Sequence, residues 1–270
     1  MMPRGISITD QDIVPMEQVA PGVSGLRIVM VNVYAIASQS EWVLVDAGLY
    51  LSAGRIRRWA QNQFGDQRPS AILLTHGHFD HVGSLKELAD EWEVPIYVHE
   101  LEVPYLQGQK SYPKPRASAG GGFMSLLAPF YPRGPIDVGR PLQTYAADGS
   151  LPVLSDWRWI HTPGHTEGHV SFFRESDRTL IVGDAFCTTK AESALAVATQ
   201  KGELHGPPAY YTSDWRAARL SVERLAALKP ATVAAGHGLP MHGSAVTGAL
   251  DKLAANFDTL ARPDNMKRAA

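Results

Sequence analysis

The stretch Ala71-Ile72-Leu73-Leu74-Thr75-His76-Gly77-His78-Phe79-Asp80-His81 decides how the rest of the chain is read. Its first five residues are a short apolar run of strand length. They lead directly into three imidazoles and a carboxylate within six positions. In an extended segment alternate side chains leave on one face, so His76, His78 and Asp80 are expected to point together. The chain then turns into a helix, and His81 at its start swings toward a neighbouring point. Such a segment supplies nitrogen and oxygen donors at two adjacent centres, which suits a borderline cation such as zinc. Gly77 keeps the turn open where a side chain would obstruct the donors. Without a cation, these groups packed together would be poorly paired, at a burial cost on the order of several kcal/mol.

Working outward, residues 26–37 and 42–46 are rich in branched and aromatic residues and read as a hairpin across the polar turn 38–41. Apolar residues at helical spacing predict helices at 52–64 and 82–92, with a strand at 95–99 after the second helix. Strand and helix therefore alternate through the first hundred residues, the α/β pattern. Residues 108–150 break it with six prolines and Gly120-Gly121-Gly122. A connection this long is either part of a pocket wall or lid, or a solvated insertion. Strands resume at 157–160, 170–174 and 179–182. A second loop at 187–213, a helix at 214–228, a strand at 231–235 and a helix at 244–260 complete the chain. Further polar residues follow three of these later strands: His165 in His161-Thr162-Pro163-Gly164-His165, Asp184 after Gly183, and His237 between Gly236 and Gly238. The expected fold is one αββα domain over 1–270, two mixed β-sheets flanked by helices with the metal site at one edge.

Composition narrows the function. Of 270 residues, 25 are Lys or Arg and 27 are Asp or Glu, a formal net charge of −2. That balance provides no basic face for nucleic acid, so a small-molecule substrate is expected. No stretch approaches the roughly 18 uncharged apolar residues of a membrane span. The single Cys187 cannot form an intramolecular disulfide, and no apolar signal core follows Met1-Met2-Pro3-Arg4-Gly5, so a cytoplasmic protein is expected. One cysteine also disfavours a structural zinc site. No Gly-x-Ser-x-Gly elbow, dinucleotide loop or phosphate loop is present.

The motifs Thr75–His81, His161–His169, Val182–Phe186 and Ala234–Gly238 together resemble the metallo-β-lactamase-fold hydrolase superfamily over nearly the whole chain. The resemblance implies that His76, His78 and His165 hold one metal and that Asp80, His81 and His237 hold a second. It implies Asp184 as the bridging carboxylate and Asp46 as a residue that fixes the site without ligating. Two zinc ions would be the cofactors, with iron or manganese as substitutes. Paired cations acidify a shared water, so a metal-bridging hydroxide would attack an ester, thioester, lactone or related amide. Asp80 would ligate and also shuttle the proton. The alternative is a non-haem iron oxidoreductase of the same fold, of the persulfide dioxygenase kind, with one iron on His76, His165 and Asp184.

Subfamily is less determined. Glyoxalase II-like enzymes end in a helical extension with basic glutathione-binding residues that cannot be placed here. Lactonases of this fold carry a tyrosine three residues after the bridging aspartate, where this chain has Cys187; Tyr210 and Tyr211 are the nearest substitutes. His169, His161, His205 and His242 are read as supporting residues, and Cys187 as an inert buried thiol. Lys110, Lys114 and Arg116 either meet an anionic substrate or are simply solvated.

Overall fold

Strand Glu41–Val45 is apolar almost throughout because both of its faces are covered. Trp42 and Leu44 join a core with Ile56 and Ala60 of helix Ala53–Phe64 and with Leu85, Leu88 and Ala89 of helix Leu85–Trp92. Val43 and Val45 face the opposite way, into a second core. These relations come from a computed structural model, which describes residues 6–7 and 16–264.

Six strands form the first sheet, in the order Val23–Ile28, Val31–Ser38, Glu41–Val45, Ala71–Leu73, Ile96–Val98 and Gln143–Thr144. The first three pair antiparallel and the rest parallel. The second sheet runs Met241–His242, Thr232–Ala235, Thr179–Gly183, Val170–Arg174 and Trp157–His161, with one parallel pair, Thr179–Gly183 beside Thr232–Ala235. Between the sheets Ile36, Val43, Val45 and Leu73 meet Phe172, Ile181 and Ala234. On the outer face of the second sheet, Phe173, Leu180 and Val182 pack on helices Trp215–Ala227 and Ser244–Ala255. The architecture is the expected αββα sandwich of two mixed sheets. Among the described residues no helix is long and apolar enough to cross a membrane.

Parallel strands release their C-terminal ends at one edge, where α/β sheets collect their ligands. Glu41–Val45 and Ala71–Leu73 release Asp46 and the His76–His81 segment there, while Thr179–Gly183 and Thr232–Ala235 release Asp184 and His237.

Several elements differ from the sequence expectation. Residues 26–37 are two strands, not one, because the chain reverses at Val29, which adopts φ 57°. A β-branched residue in that conformation is a genuine outlier, and none of the usual turn residues marks it. The 82–92 helix is interrupted at Gly83 and Ser84; a side chain on Gly83 would collide with the backbone of Leu49 and Tyr50. Residues 108–150 hold helix Phe123–Leu127, the 3-10 turn Ala128–Phe130 and the edge strand Gln143–Thr144 but are otherwise irregular. Phe123, Leu126 and Phe130 remain exposed there. The 187–213 loop contains helix Ala194–Thr199 and strand Glu203–Leu204, and the last helix is broken at Asn256 into Ser244–Ala255 and Phe257–Leu260.

Candidate metal centre

His78 is the last extended residue of its segment (φ −66°, ψ 152°), and helix Phe79–Val82 starts immediately after it. Asp80 therefore lies in the helix, not in line with His76 and His78 as an extended segment would place it. The helical turn brings Asp80 and His81 to one point while His76 and His78 serve another. Three convergent donor groups result: His76 with His78 and His165, Asp80 with His81 and His237, and His76 with His81 and Asp184, the donor atoms of each lying within 4.8 Å of one another. All seven side chains are buried.

In the first group His78 Nδ1 lies 3.0 Å from His76 Nε2 and 2.9 Å from His165 Nε2. In the second, Asp80 Oδ2 is 3.6 Å from His237 Nε2. Asp184 sits between them. Its Oδ2 is 3.2 Å from His237 Nε2 and 3.5 Å from His165 Nε2, and its Oδ1 is 3.6 Å from His81 Nε2.

The partners behind the imidazoles decide which nitrogen carries the proton. His237 Nδ1 donates to the Met30 carbonyl at 2.7 Å, and His81 Nδ1 donates to Asp46 Oδ2 at 2.8 Å. The Thr75 hydroxyl spends its proton on Asp46 Oδ2, so at 3.0 Å it accepts from His76 Nδ1. By the same logic Thr212, which donates to the Pro208 carbonyl, accepts from His165 Nδ1 at 3.4 Å. In all four rings Nε2 is the nitrogen turned inward. His81 Nε2 and Asp184 Oδ1 are buried with no hydrogen-bond partner. Buried polar atoms in folded proteins are almost always satisfied, and inward ring nitrogens beside a carboxylate are the donor set a divalent cation completes. The residues fit a metal centre.

Without an ion, the carboxylates draw protons onto two of these rings. Burial alone would keep His81 and His237 neutral, but Asp184 with Asp46 raises His81 well above the ordinary histidine range, and Asp184 with Asp80 raises His237 to about 9. Burial would lift the Asp184 carboxyl, yet His237 and His81 hold it well below the usual range. Asp80 is raised, because burial outweighs the pull of His81 and His237. His165 falls to about 4, chiefly through burial.

Two of the supporting residues, Glu102 and Asn32, carry no sequence signal, while Asp46 takes the fixing role expected of it. Glu102 is fully buried; it accepts from the backbone N–H of Gly77 and of Gly168 (both 3.0 Å), from the Thr166 hydroxyl at 2.7 Å, and from the Tyr112 hydroxyl. One carboxylate thus fastens the loop of His76 and His78 to the loop of His165. A lone Glu in a helical run announces none of this. Asn32 Nδ2 donates to the carbonyls of Ala235 (2.9 Å) and Gly238 (2.6 Å), holding the loop of His237. Asp46 takes φ 61° and accepts from Thr75 N, Thr75 Oγ1 and His81 Nδ1, all at 2.8 Å. Gly236 is required because a Cβ there would strike Asp184 Oδ1.

His169 Nε2 accepts from the Asp184 N–H at 2.8 Å, and burial depresses its pKa to about 3. His161 stacks on His99 with ring centroids 4.3 Å apart, His205 pairs with Glu203 at 2.9 Å, and His242 lies exposed on an edge strand. Burial pushes the Cys187 thiol well up and keeps it protonated. Lys110 pairs with Glu167 at 3.3 Å. The Tyr211 ring lies on His78, and Tyr210 is buried nearby.

Fold and site together define a candidate metal centre at one edge of a two-sheet sandwich. A family profile described as "Metallo-beta-lactamase superfamily" matches residues 26–237. The chain belongs to the metallo-beta-lactamase superfamily. It is 44% identical over 247 residues to "Probable metallo-hydrolase YflN" of Bacillus subtilis (strain 168), covering 90% of this chain and 94% of that protein. Among solved structures it resembles BLEG-1 B3 metallo-beta-lactamase (TM-score 0.59, 24% identity, 84% of this chain and 95% of that one). It also resembles TTHA1623 in a di-iron-bound form (TM-score 0.58, 23% identity, 84% of this chain and 96% of that one). At these identities the structural likenesses concern the fold.

Proposed function

We propose that this chain is a dinuclear zinc hydrolase that cleaves an ester, thioester, lactone or related amide bond of a small molecule. His76, His78 and His165 would hold one ion, Asp80, His81 and His237 the other, and Asp184 would bridge. The observation that carries the reading is the pair of convergent donor groups joined by Asp184. When bound, a metal pair lowers the pKa of water toward neutrality and polarises a carbonyl or phosphoryl oxygen.

The chain's own residues do the remainder. Asp46, Thr75, Met30 and Thr212 hold the outer nitrogens of the four imidazoles, so each ring is already oriented with Nε2 inward. Asp184, held ionised, supplies the charge between the groups. Asp80, whose carboxylate lies at the second donor group 3.6 Å from His237 Nε2, would take up the proton released from attacking water and return it to the leaving group. Replacing Asp80 by Ala is expected to lower turnover about 10²–10⁴-fold at matched metal content. Wild-type turnover in that variant with both ions retained would remove Asp80 from the proton path.

The alternative, a single iron on His76, His165 and Asp184 in an oxidoreductase of the persulfide dioxygenase kind, leaves Asp80, His81 and His237 with no ion to face. Elemental mass spectrometry on protein purified without added metal or chelator separates the two, together with a panel of esters, thioesters and lactones. The hydrolase requires two zinc ions per chain and turnover of some member of the panel. One iron with little zinc, and oxygen uptake with a sulfur substrate, would overturn it.

A further inference from the structure

His78 lies between two aromatic rings that are unequally held. Tyr112 is 4.4 Å away at 63°, and Tyr211 is 4.5 Å away at 31°. Tyr112 is buried, its hydroxyl is tied to the Glu102 carboxylate, and its ring stacks on Tyr105 at 4.0 Å and 5°. It is a fixed wall. Tyr211 is part-exposed, and its hydroxyl makes one long hydrogen bond, 3.4 Å to the Pro132 carbonyl. Together they bound a cleft whose floor is His78 and His165 and whose sides include Tyr105, Tyr112, Pro113 and Tyr211. Its free volume is about 30 Å³, room for only two or so water molecules.

We infer that Tyr211 is the specificity-determining residue of the site: its ring caps the cleft over His78 and His165 and sets the largest substrate group that fits there. Tyr105, Tyr112, Pro113 and Tyr211 supply apolar walls, with Thr166, Glu167 and Ser213 completing the lining, so the group admitted is a compact one with an apolar face toward Tyr211. The backbone around Tyr211 is anchored independently of its ring. Thr212 bonds the Pro208 carbonyl and meets His165, and Ser213 bonds the Gly164 carbonyl at 3.1 Å. Truncating the ring therefore enlarges the cleft without releasing the loop. The long bond to Pro132 makes the hydroxyl dispensable, so it is the ring that sets the limit.

This inference takes its substrate from the hydrolase reading, and its test separates the two. The first readout is kcat/KM for p-nitrophenyl esters from acetate to hexanoate, at metal contents verified equal. The second is calorimetric binding of the matching free carboxylates to zinc-loaded protein, which needs no turnover. Tyr211→Ala is expected to shift the preference toward the longer chain by at least about 10-fold, the scale on which an apolar pocket separates neighbouring homologues. Tyr211→Phe is expected to keep the wild-type chain-length profile. An unchanged carboxylate profile in Tyr211→Ala, or no carboxylate binding to either protein, overturns the inference. A shifted carboxylate profile with no ester, thioester or lactone turned over sinks the hydrolase reading and leaves the role of Tyr211 standing.

Discussion

Replacing Asp184 by Ala is expected to remove activity and metal together. Its two oxygens lie 3.2–3.6 Å from His237, His165 and His81, so one carboxylate touches both donor groups. Without it, five imidazoles converge in a buried space with only Asp80 and, behind His81, Asp46 to balance them. Changing a partner one shell away from a metal typically lowers affinity or activity 10–100-fold, so losing the carboxylate that spans both groups should exceed about 10²-fold in kcat/KM. Metal content should fall below two per chain, while Asp184→Glu, which keeps the charge, should recover part of it. Full metal content and undiminished turnover in Asp184→Ala would remove this residue from the centre.

The chelator-treated protein is expected to be most stable near neutral pH and to weaken on both sides. His237 is held at about 9 against an ordinary 6.5. Its raised value means that the stability it contributes is complete below 6.5 and is lost as pH climbs through 9. His165 and His169, lowered to about 4 and about 3, act in reverse: their contribution is complete above 6.5 and disappears as pH falls through those values. The alkaline loss should be on the order of 1–3 kcal/mol, shared with His81, to which the same carboxylate is coupled. Urea midpoints at pH 5, 7 and 9.5 measure this directly. With two equivalents of zinc the alkaline limb should flatten, because ligation requires the inner nitrogens to be deprotonated. A chelated protein equally stable at pH 7 and 9.5 would show that His237 is not held protonated by Asp184 and Asp80.

The site is legible in the sequence wherever it consists of unusual residues at strand ends. The His76–His81 segment is dense enough to be read alone, and His165, Asp184 and His237 gain meaning from standing after predicted strands. The residues that escape are those whose importance is a matter of place and not of type. Glu102 has an ordinary local setting and acquires its role only when two distant loops fold against it. Asn32 and Thr75 are small polar residues whose partners lie on other elements. The two sheets are visible as apolar runs, but the reversal at Val29 is not, since it uses a conformation that its side chain disfavours. Local pattern likewise assigns Asp80 to the wrong kind of backbone, because helix Phe79–Val82 is a single turn and too short to leave a periodicity.

Each donor group draws on both sheets. His76 and His78 from the first meet His165 from the second, His76 and His81 meet Asp184, and Asp80 and His81 meet His237. The centre is therefore written across a seam, and no contiguous half of the polypeptide contains it. During synthesis the histidine-rich segment emerges long before its last partner, His237, so a nascent chain carries the densest run of donor residues without those that complete the groups. On the proposed dinuclear reading, occupancy becomes a proofreading mark: only a chain whose two sheets have docked in register would hold both ions.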